Sequence, residues 1–422
     1  VTILNVVGVV AEYNPFHKGH LYHLDTIRKV YMPDAIMVAL SGNFVQRGEP
    51  SIFDKWARAE MALHAGADLV LELPVCFSTA TAEIFAESAV KLLLESKVVN
   101  ALSFGVEKFH EKELHYLGKL FADEPISFRN ILNEHLKKGL SFPKAREMAV
   151  VEYLSAKNIN LDIKLISGLL NKPNSILAVE YIKALNKHGS DVAILPVVRR
   201  GHQYHDKTLS KQYASATAIR QAISSQSQDF MDKIIPHLPE STVNIISREI
   251  KQRRRPVFLQ DFETLILYSL RRLRAYELKN YFDVEEGLEN RLKKAAQSCG
   301  KLEQLIMQIK TKRYPASRIQ RILIHILLNI PREMVEGRTP QYLRVLGFTK
   351  RGAMLLKQIN KNASIPVITR ASQYKKLDLK SKAMFEKDLF SSDIYRLAYE
   401  CPDLRNGGSD FDRKVIFYNS SK

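Results

Sequence analysis

Near the start of the chain, Glu12-Tyr13-Asn14-Pro15-Phe16-His17-Lys18-Gly19-His20 sets two imidazoles three positions apart across a glycine. The stretch follows an apolar run and precedes an amphipathic helical pattern. Pro15 ends the strand, and Gly19 leaves the backbone open to close approach by a ligand. A helix beginning here offers unpaired N–H groups and a partial positive charge, which suits the triphosphate of a nucleotide. Two imidazoles at that place are able to donate to phosphate oxygens as negative charge builds during in-line attack on an α-phosphorus. The plainer alternative is that one histidine only caps the helix.

A second element, Ala214-Ser215-Ala216-Thr217-Ala218-Ile219-Arg220, places Ser215 and Thr217 where N-capping hydroxyls belong and Arg220 one turn further on. Alone it is a weak pattern, and opposite the histidines it would hold the β- and γ-phosphates. Between the two lies Ser41-Gly42-Asn43-Phe44-Val45-Gln46-Arg47-Gly48-Glu49-Pro50, which reads equally as a ligand-contacting loop or a tight turn. Asp54, Lys55 and Arg58 share a helical face, and internal pairing is the favoured reading of the three. Asn174, in a Pro-Asn-Ser-Ile-Leu run, and the neighbouring Arg199 and Arg200 supply an amide and two guanidiniums near a late strand.

The elements that must position these groups alternate. Strands are expected over residues 5–12, 35–41, 68–73, 101–105 and 192–198, with helices near 20–30, 53–65 and 80–95. That is the rhythm of βαβ units around a parallel sheet, so the fold class is α/β and Rossmann-like. Right-handed crossovers would gather the loops after each strand along one edge, where open α/β sheets bind ligands. A polar helical insertion is expected at about 107–165. Beyond Arg220 candidate strands nearly vanish, and helical runs take over at 262–278, 287–298, 317–328 and 351–359. The division expected is a catalytic domain over 1–235 and a basic α-helical domain over 236–422.

Composition narrows the function classes. The chain has 422 residues, 45% hydrophobic and 26% charged, which excludes a disordered chain or a small stapled scaffold. Cys76, Cys299 and Cys401 are too far apart for a metal knuckle and odd in number, which suits a reducing cytoplasm. No apolar run is long enough for a membrane span, and the run before Glu12 is too short for a secretory leader. No protein metal site is expected. The net charge of +18 is segregated, with residues 1–240 carrying +1 and residues 241–422 carrying +17. A neutral catalytic module joined to a polyanion-binding module would show this asymmetry.

Taken in register, EYNPFHKGH, SGNFVQRGEP, DLVLELP, LSFG, PNSIL, VVRRG and ASATAIR resemble the tRNA(Met) cytidine acetate ligase family of the HxGH nucleotidyltransferases over roughly residues 6–220. The resemblance implies that ATP activates acetate as acetyl-adenylate with release of pyrophosphate. The acetyl group would then pass to the wobble cytidine of elongator tRNA(Met), giving N4-acetylcytidine. It also implies an ATP site made of Val10, Ala11, Glu12, Tyr13, Asn14, Pro15, Phe16, His17, Lys18, Gly19, His20, Leu21, Tyr22 and His23, with Gly105, Asn174, Arg199 and Arg200. Ser215, Thr217 and Arg220 join it from the residue reading. Lys18 stands where relatives often carry asparagine and would set an extra cation beside the phosphates, so His17, His20 and Lys18 form the expected catalytic set. Mg²⁺ would ride mainly on the phosphates.

The basic helical part would then grip the tRNA through Arg253, Arg254, Arg255, Arg271, Arg272, Arg274, Lys293, Lys294, Lys312 and Arg313, with Tyr314 and a Gly347-Phe348 turn either stacking on bases or, the favoured reading of each, packed in the core. Two rival readings are an adenylyl- or cytidylyltransferase acting on a small phosphate ester, and a nucleotide-sensing RNA-binding protein without turnover. The first gives the basic half no task.

Overall fold

The computed structural model describes residues 4–199, 214–225 and 229–419. The strands among them are β1 Val6–Ala11, β2 Ala35–Ser41, β3 Phe44–Val45, β4 Glu49–Pro50, β5 Leu69–Leu73, β6 Ala101–Val106, β7 Ala193–Val198, β8 Leu343–Thr349, β9 Val367–Ile368 and β10 Ile416–Tyr418. Eight of them build one sheet in the order β10-β8-β5-β2-β1-β6-β7, with β9 beside β8, while β3 and β4 make a small antiparallel hairpin. The five expected strands are all present and run parallel to one another.

Their apolar runs are continuous because both faces of the sheet are covered. Successive residues divide between two cores as the period of two requires: Ala35, Met37 and Ala39 face one, and Ile36, Val38 and Leu40 the other. Helix Ala82–Glu95 covers the first face with Phe85, Ala89 and Leu93. Helices Lys18–Thr26 and Lys55–His64 cover the second, and Leu24, Trp56 and Met61 sit in its core. β1 has β2 on one side and β6 on the other, so the chain reverses its direction of travel across the sheet at β1. The crevice beyond the carboxyl ends of β1 and β6 is therefore the place for a ligand.

Two expectations need correction. The helical insertion extends past residue 165, through Ile163–Leu170 and Pro173–Lys187, because the last of these helices packs on Ala82–Glu95 and Glu111–Asp123. The second half is mainly helical, as expected, but its few strands are not separate from the first half. β8 pairs antiparallel with β5, and β10 parallel with β8, so residues beyond 340 extend the sheet of the first half. Gly347 and Phe348 accordingly lie in a strand rather than a turn. A side chain at Gly347 would meet Leu63 Cδ1 at 2.6 Å, which explains the glycine there.

A buried ionic cluster fixes this junction. Lys55 Nζ reaches Glu72 at 2.9 Å and Asp410 at 2.8 Å, while Arg344 pairs with the same two carboxylates at 3.0 Å each. Trp56 Nε1 and Ser392 Oγ also donate to Asp410. The internal pairing expected of Lys55 is thus real, with a partner more than 350 residues away. Arg58 is likewise turned inward, donating to the carbonyls of Phe53 and Glu12 at 3.0 and 2.6 Å and to that of Gly42. Asp54 caps its own helix. No helix among the described residues is long and apolar enough to cross a membrane.

Candidate active site

At the carboxyl ends of β1, β6 and β7 lies a cavity of 340 Å³. Its first wall is the loop after β1. His17 is the N-cap of helix Lys18–Thr26: its Nδ1 accepts the Gly19 N–H at 3.0 Å, and its own N–H donates to His20 Nδ1 at 3.3 Å. The two rings stack with centroids 3.7 Å apart. The capping posed as the plainer alternative is present, and the same geometry leaves both rings on the cavity wall. Because each Nδ1 accepts a backbone hydrogen, the hydrogen of each neutral ring belongs on Nε2. Both imidazoles line the cavity as preset donors.

Electrostatics keeps them neutral. Burial, reinforced by Arg199, Arg220 and His237, pushes the His17 imidazole down to about 3. Burial, then His17, Arg199 and His23, drives His20 well below the ordinary range. His23, lowered to about 4 by burial and Arg199, is held by Ser103 Oγ at 2.9 Å from its Nε2.

The second wall follows β6 and β7. Arg199 Nη1 donates to Asn174 Oδ1 at 3.3 Å, and Asn174 and Ser175 both donate to the Glu107 carboxylate, at 2.7 and 2.8 Å. Glu107 thereby orients the amide and, through it, the guanidinium. The third wall is helix Ala216–Ser224, capped by Ser215, whose hydroxyl accepts the Ala218 N–H. Arg220 Nη1 donates to the Asn14 carbonyl at 2.9 Å and ties this helix to the histidine loop. Glu12 Oε1 accepts the Gln46 N–H at 2.9 Å, and burial raises its carboxyl above the usual range despite that bond. The buried Tyr13 hydroxyl has no hydrogen-bond partner among the described residues.

Of the expected ATP-site residues, Val10, Ala11, Glu12, Tyr13, Asn14, His17, Gly19, His20, Tyr22, His23, Gly105, Asn174, Arg199, Ser215 and Arg220 line this cavity. Pro15, Phe16, Lys18, Leu21 and Thr217 do not. Pro15 and Phe16 are buried beneath the loop, and the Lys18 ammonium leaves the site to donate to the Pro236 carbonyl at 2.6 Å. Thr217 instead accepts from Arg220. Arg200 lies outside the described residues. Residues the sequence did not assign are Phe85, Phe104, Leu177 and Tyr181, an apolar side of the cavity, together with Glu107. The loop read as either a ligand contact or a tight turn does turn tightly, as the β3–β4 hairpin, and Gln46 and Arg47 within it line the cavity. No group of three or more His, Cys, Asp or Glu poised to hold a metal occurs among the described residues.

The profile of the HIGH Nucleotidyl Transferase family matches residues 4–410. The tRNA(Met) cytidine acetate ligase of Thermoanaerobacter sp. (strain X514) is 42% identical over 98% of this chain and its own full length. That of Acetivibrio thermocellus is 39% identical over the same shares. The chain belongs to the tRNA(Met) cytidine acetate ligase family. Crystal structures of Thermotoga maritima TmcAL, at 35% identity, cover 99% of this chain and all of theirs. The apo form gives a TM-score of 0.95, and the form bound with alpha-thio ATP gives 0.92.

This candidate site has a signature in acid stability. His17 is neutral when folded, with its value near 3, and protonates near 6.5 when unfolded. Its contribution is complete above pH 6.5 and is lost as pH falls toward 3, because only the unfolded chain then takes up the proton. Relative to a His17→Asn variant, the nucleotide-free parent should lose up to about 1.4 kcal/mol per pH unit below 6.5. Urea midpoints measured at several pH values would show this. Parallel curves for the two proteins would mean that the ring is not buried neutral.

Proposed function

We propose that this protein activates acetate with ATP and acetylates the wobble cytidine of elongator tRNA(Met), forming N4-acetylcytidine. The observation that carries the reading is the pair of neutral imidazoles, each with Nδ1 occupied by a backbone donor, at a helix start that shares its cavity with Arg199 and Arg220. An acetate oxygen attacks the α-phosphorus and pyrophosphate leaves, so negative charge grows where these donors converge. The cytidine amine then attacks the acetyl carbonyl, AMP departs, and the nitrogen gives up a proton. Positioning and charge suffice for both steps, and no protein nucleophile is called for. Mg²⁺ would rest chiefly on the phosphates, with Glu12 the one carboxylate among the described residues lining the cavity. Three free cysteines, two of them buried, fit a cytoplasmic enzyme.

The decisive experiment supplies ATP, labelled acetate and bulk tRNA. Label in RNA is the expected result. A nucleotidyl-ester product with unlabelled RNA would favour the rival transferase instead.

For tRNA the side chains suggested by sequence divide. Arg253, Arg272, Lys294 and Lys312 are exposed and available to phosphates. Lys293 is spent inside the protein, donating to the carbonyls of Leu270, Arg271 and Leu273 and closing a helix end. Arg271 donates to Ala296 and Cys299 carbonyls. Arg254 pairs with Glu249, Arg255 with Asp261, Arg274 with Glu277 and Arg313 with Glu286. Tyr314 is core, at 5% exposure. With the four exposed cations in contact, tRNA affinity should fall about a hundredfold between roughly 50 and 200 mM salt. A filter-binding titration that stays flat across this range would rule out a backbone grip.

A further inference from the structure

A second cavity, of 460 Å³, adjoins the ATP cavity, and the same two walls face both. One wall is the β3–β4 hairpin, where Gln46 and Arg47 line the first cavity and Glu49 and Pro50 the second. The other is helix Ala216–Ser224, where Ala216 faces the first, Gln221 and Ser224 the second, and Arg220 both. The far side of the second cavity comes from the basic half of the chain. The hairpin is seated on that half by backbone contact. Gly48 has φ +74°, and a Cβ there would run into the backbone of Gln320 and Arg321 in helix Ala316–Leu327.

We propose that this second cavity is the subsite for an unpaired nucleotide of the substrate RNA, next to the cytidine that receives the acetyl group. The proposal rests on the function given above. Its chemistry is that of a splayed base: Phe258 and Met307 offer apolar faces, the latter 68% exposed, and the amides of Gln221, Gln260 and Gln320 each carry a donor and an acceptor for a base edge. Lys310, exposed at the rim and two residues before Lys312, supplies a cation for the adjoining phosphate. Location argues the same way. The cytidine amine must meet an acetyl group bound in the first cavity, and a nucleotide beside Arg220 anchors the RNA strand one wall away from it. Arg220 donates to Asn14 O and lies 3.9 Å from Glu49 Oε2, so it ties the helix to the histidine loop and to the hairpin.

Met307→Ser and Lys310→Glu test the subsite, since both side chains are exposed and lie outside the ATP cavity. With an in vitro transcript of elongator tRNA(Met), each should raise the KM for tRNA about tenfold, the effect of losing one base or phosphate contact. ATP affinity by calorimetry and thermal midpoint should match the parent. The loss in Met307→Ser should persist at raised salt, which a general charge effect would not do. If KM for tRNA is unchanged in both variants while the parent acetylates tRNA, the subsite is refuted and the function stands. A rise in the KM for ATP or acetate instead would assign the cavity to a small substrate and overturn the proposal. A parent that acetylates no tRNA refutes the function itself.

Discussion

Replacing His20 by alanine should slow acetylation of tRNA(Met) by about 10²–10³-fold, the loss that follows removal of one preset donor to a charge-bearing oxygen. His17→Ala should do the same and, in addition, destabilise the protein, because its Nδ1 also accepts the Gly19 N–H at the start of the helix. Loss of an N-cap acceptor costs about 1 kcal/mol. His17→Asn separates the two roles: asparagine is a good N-cap and should restore the thermal midpoint without restoring the rate. Single-turnover transfer of labelled acetate, with calorimetric melting on the same preparations, reads both. Should His20→Ala retain a rate within about tenfold of the parent, the stacked imidazoles are an architectural feature and the phosphate chemistry lies elsewhere in the cavity.

What could be read in the sequence followed from how local the cause was. β1 and the His17–His20 turn announce themselves because strand, proline, glycine and helix lie within a dozen residues, each obeying its own backbone rule. β8 did not, because Arg344 interrupts its apolar run and reads as surface. That arginine is buried only because Glu72 and Asp410, far away in sequence, neutralise it. Lys18 misled in the opposite sense. Its place inside the motif suggested a phosphate contact, yet the first residue of a helix points according to the turn that starts it, and its ammonium finds Pro236. Lys293 looked like a tRNA cation, but a helix ending at Arg272 leaves carbonyls that a nearby ammonium satisfies. Glu107 was invisible for a related reason. A carboxylate one residue beyond a strand has no pattern of its own, and it acquires a role only when the insertion brings back Asn174 and Ser175.

Asp410→Ala should cost about 3–5 kcal/mol of stability, the range for breaking a buried ion pair from one side. Lys55, Glu72, Arg344 and Asp410 are each 3% exposed or less, and their charges cancel in pairs. Burial alone would raise the Asp410 carboxyl, but Arg344 and Lys55 overcome it and hold the group ionised well below the usual range. Removing it leaves two cations sharing Glu72 in a site that water does not reach. Asp410→Asn should cost less, since the amide oxygen still accepts from one of the two donors, Trp56 at the Oδ1 position or Ser392 at the Oδ2 position. The damage should also reach the catalytic site. Ser392 accepts from Asn43 Nδ2, and Asn43 Oδ1 accepts the Lys55 N–H, so the loop that presents Gln46 and Arg47 hangs from the same cluster. ATP affinity should therefore weaken in Asp410→Ala even below its melting temperature. Urea unfolding midpoints and ATP calorimetry measure the two effects. A stability change under about 1 kcal/mol would mean that water or a rearranged side chain relieves the uncompensated charge, and that the β5–β8 junction is held by its apolar contacts alone.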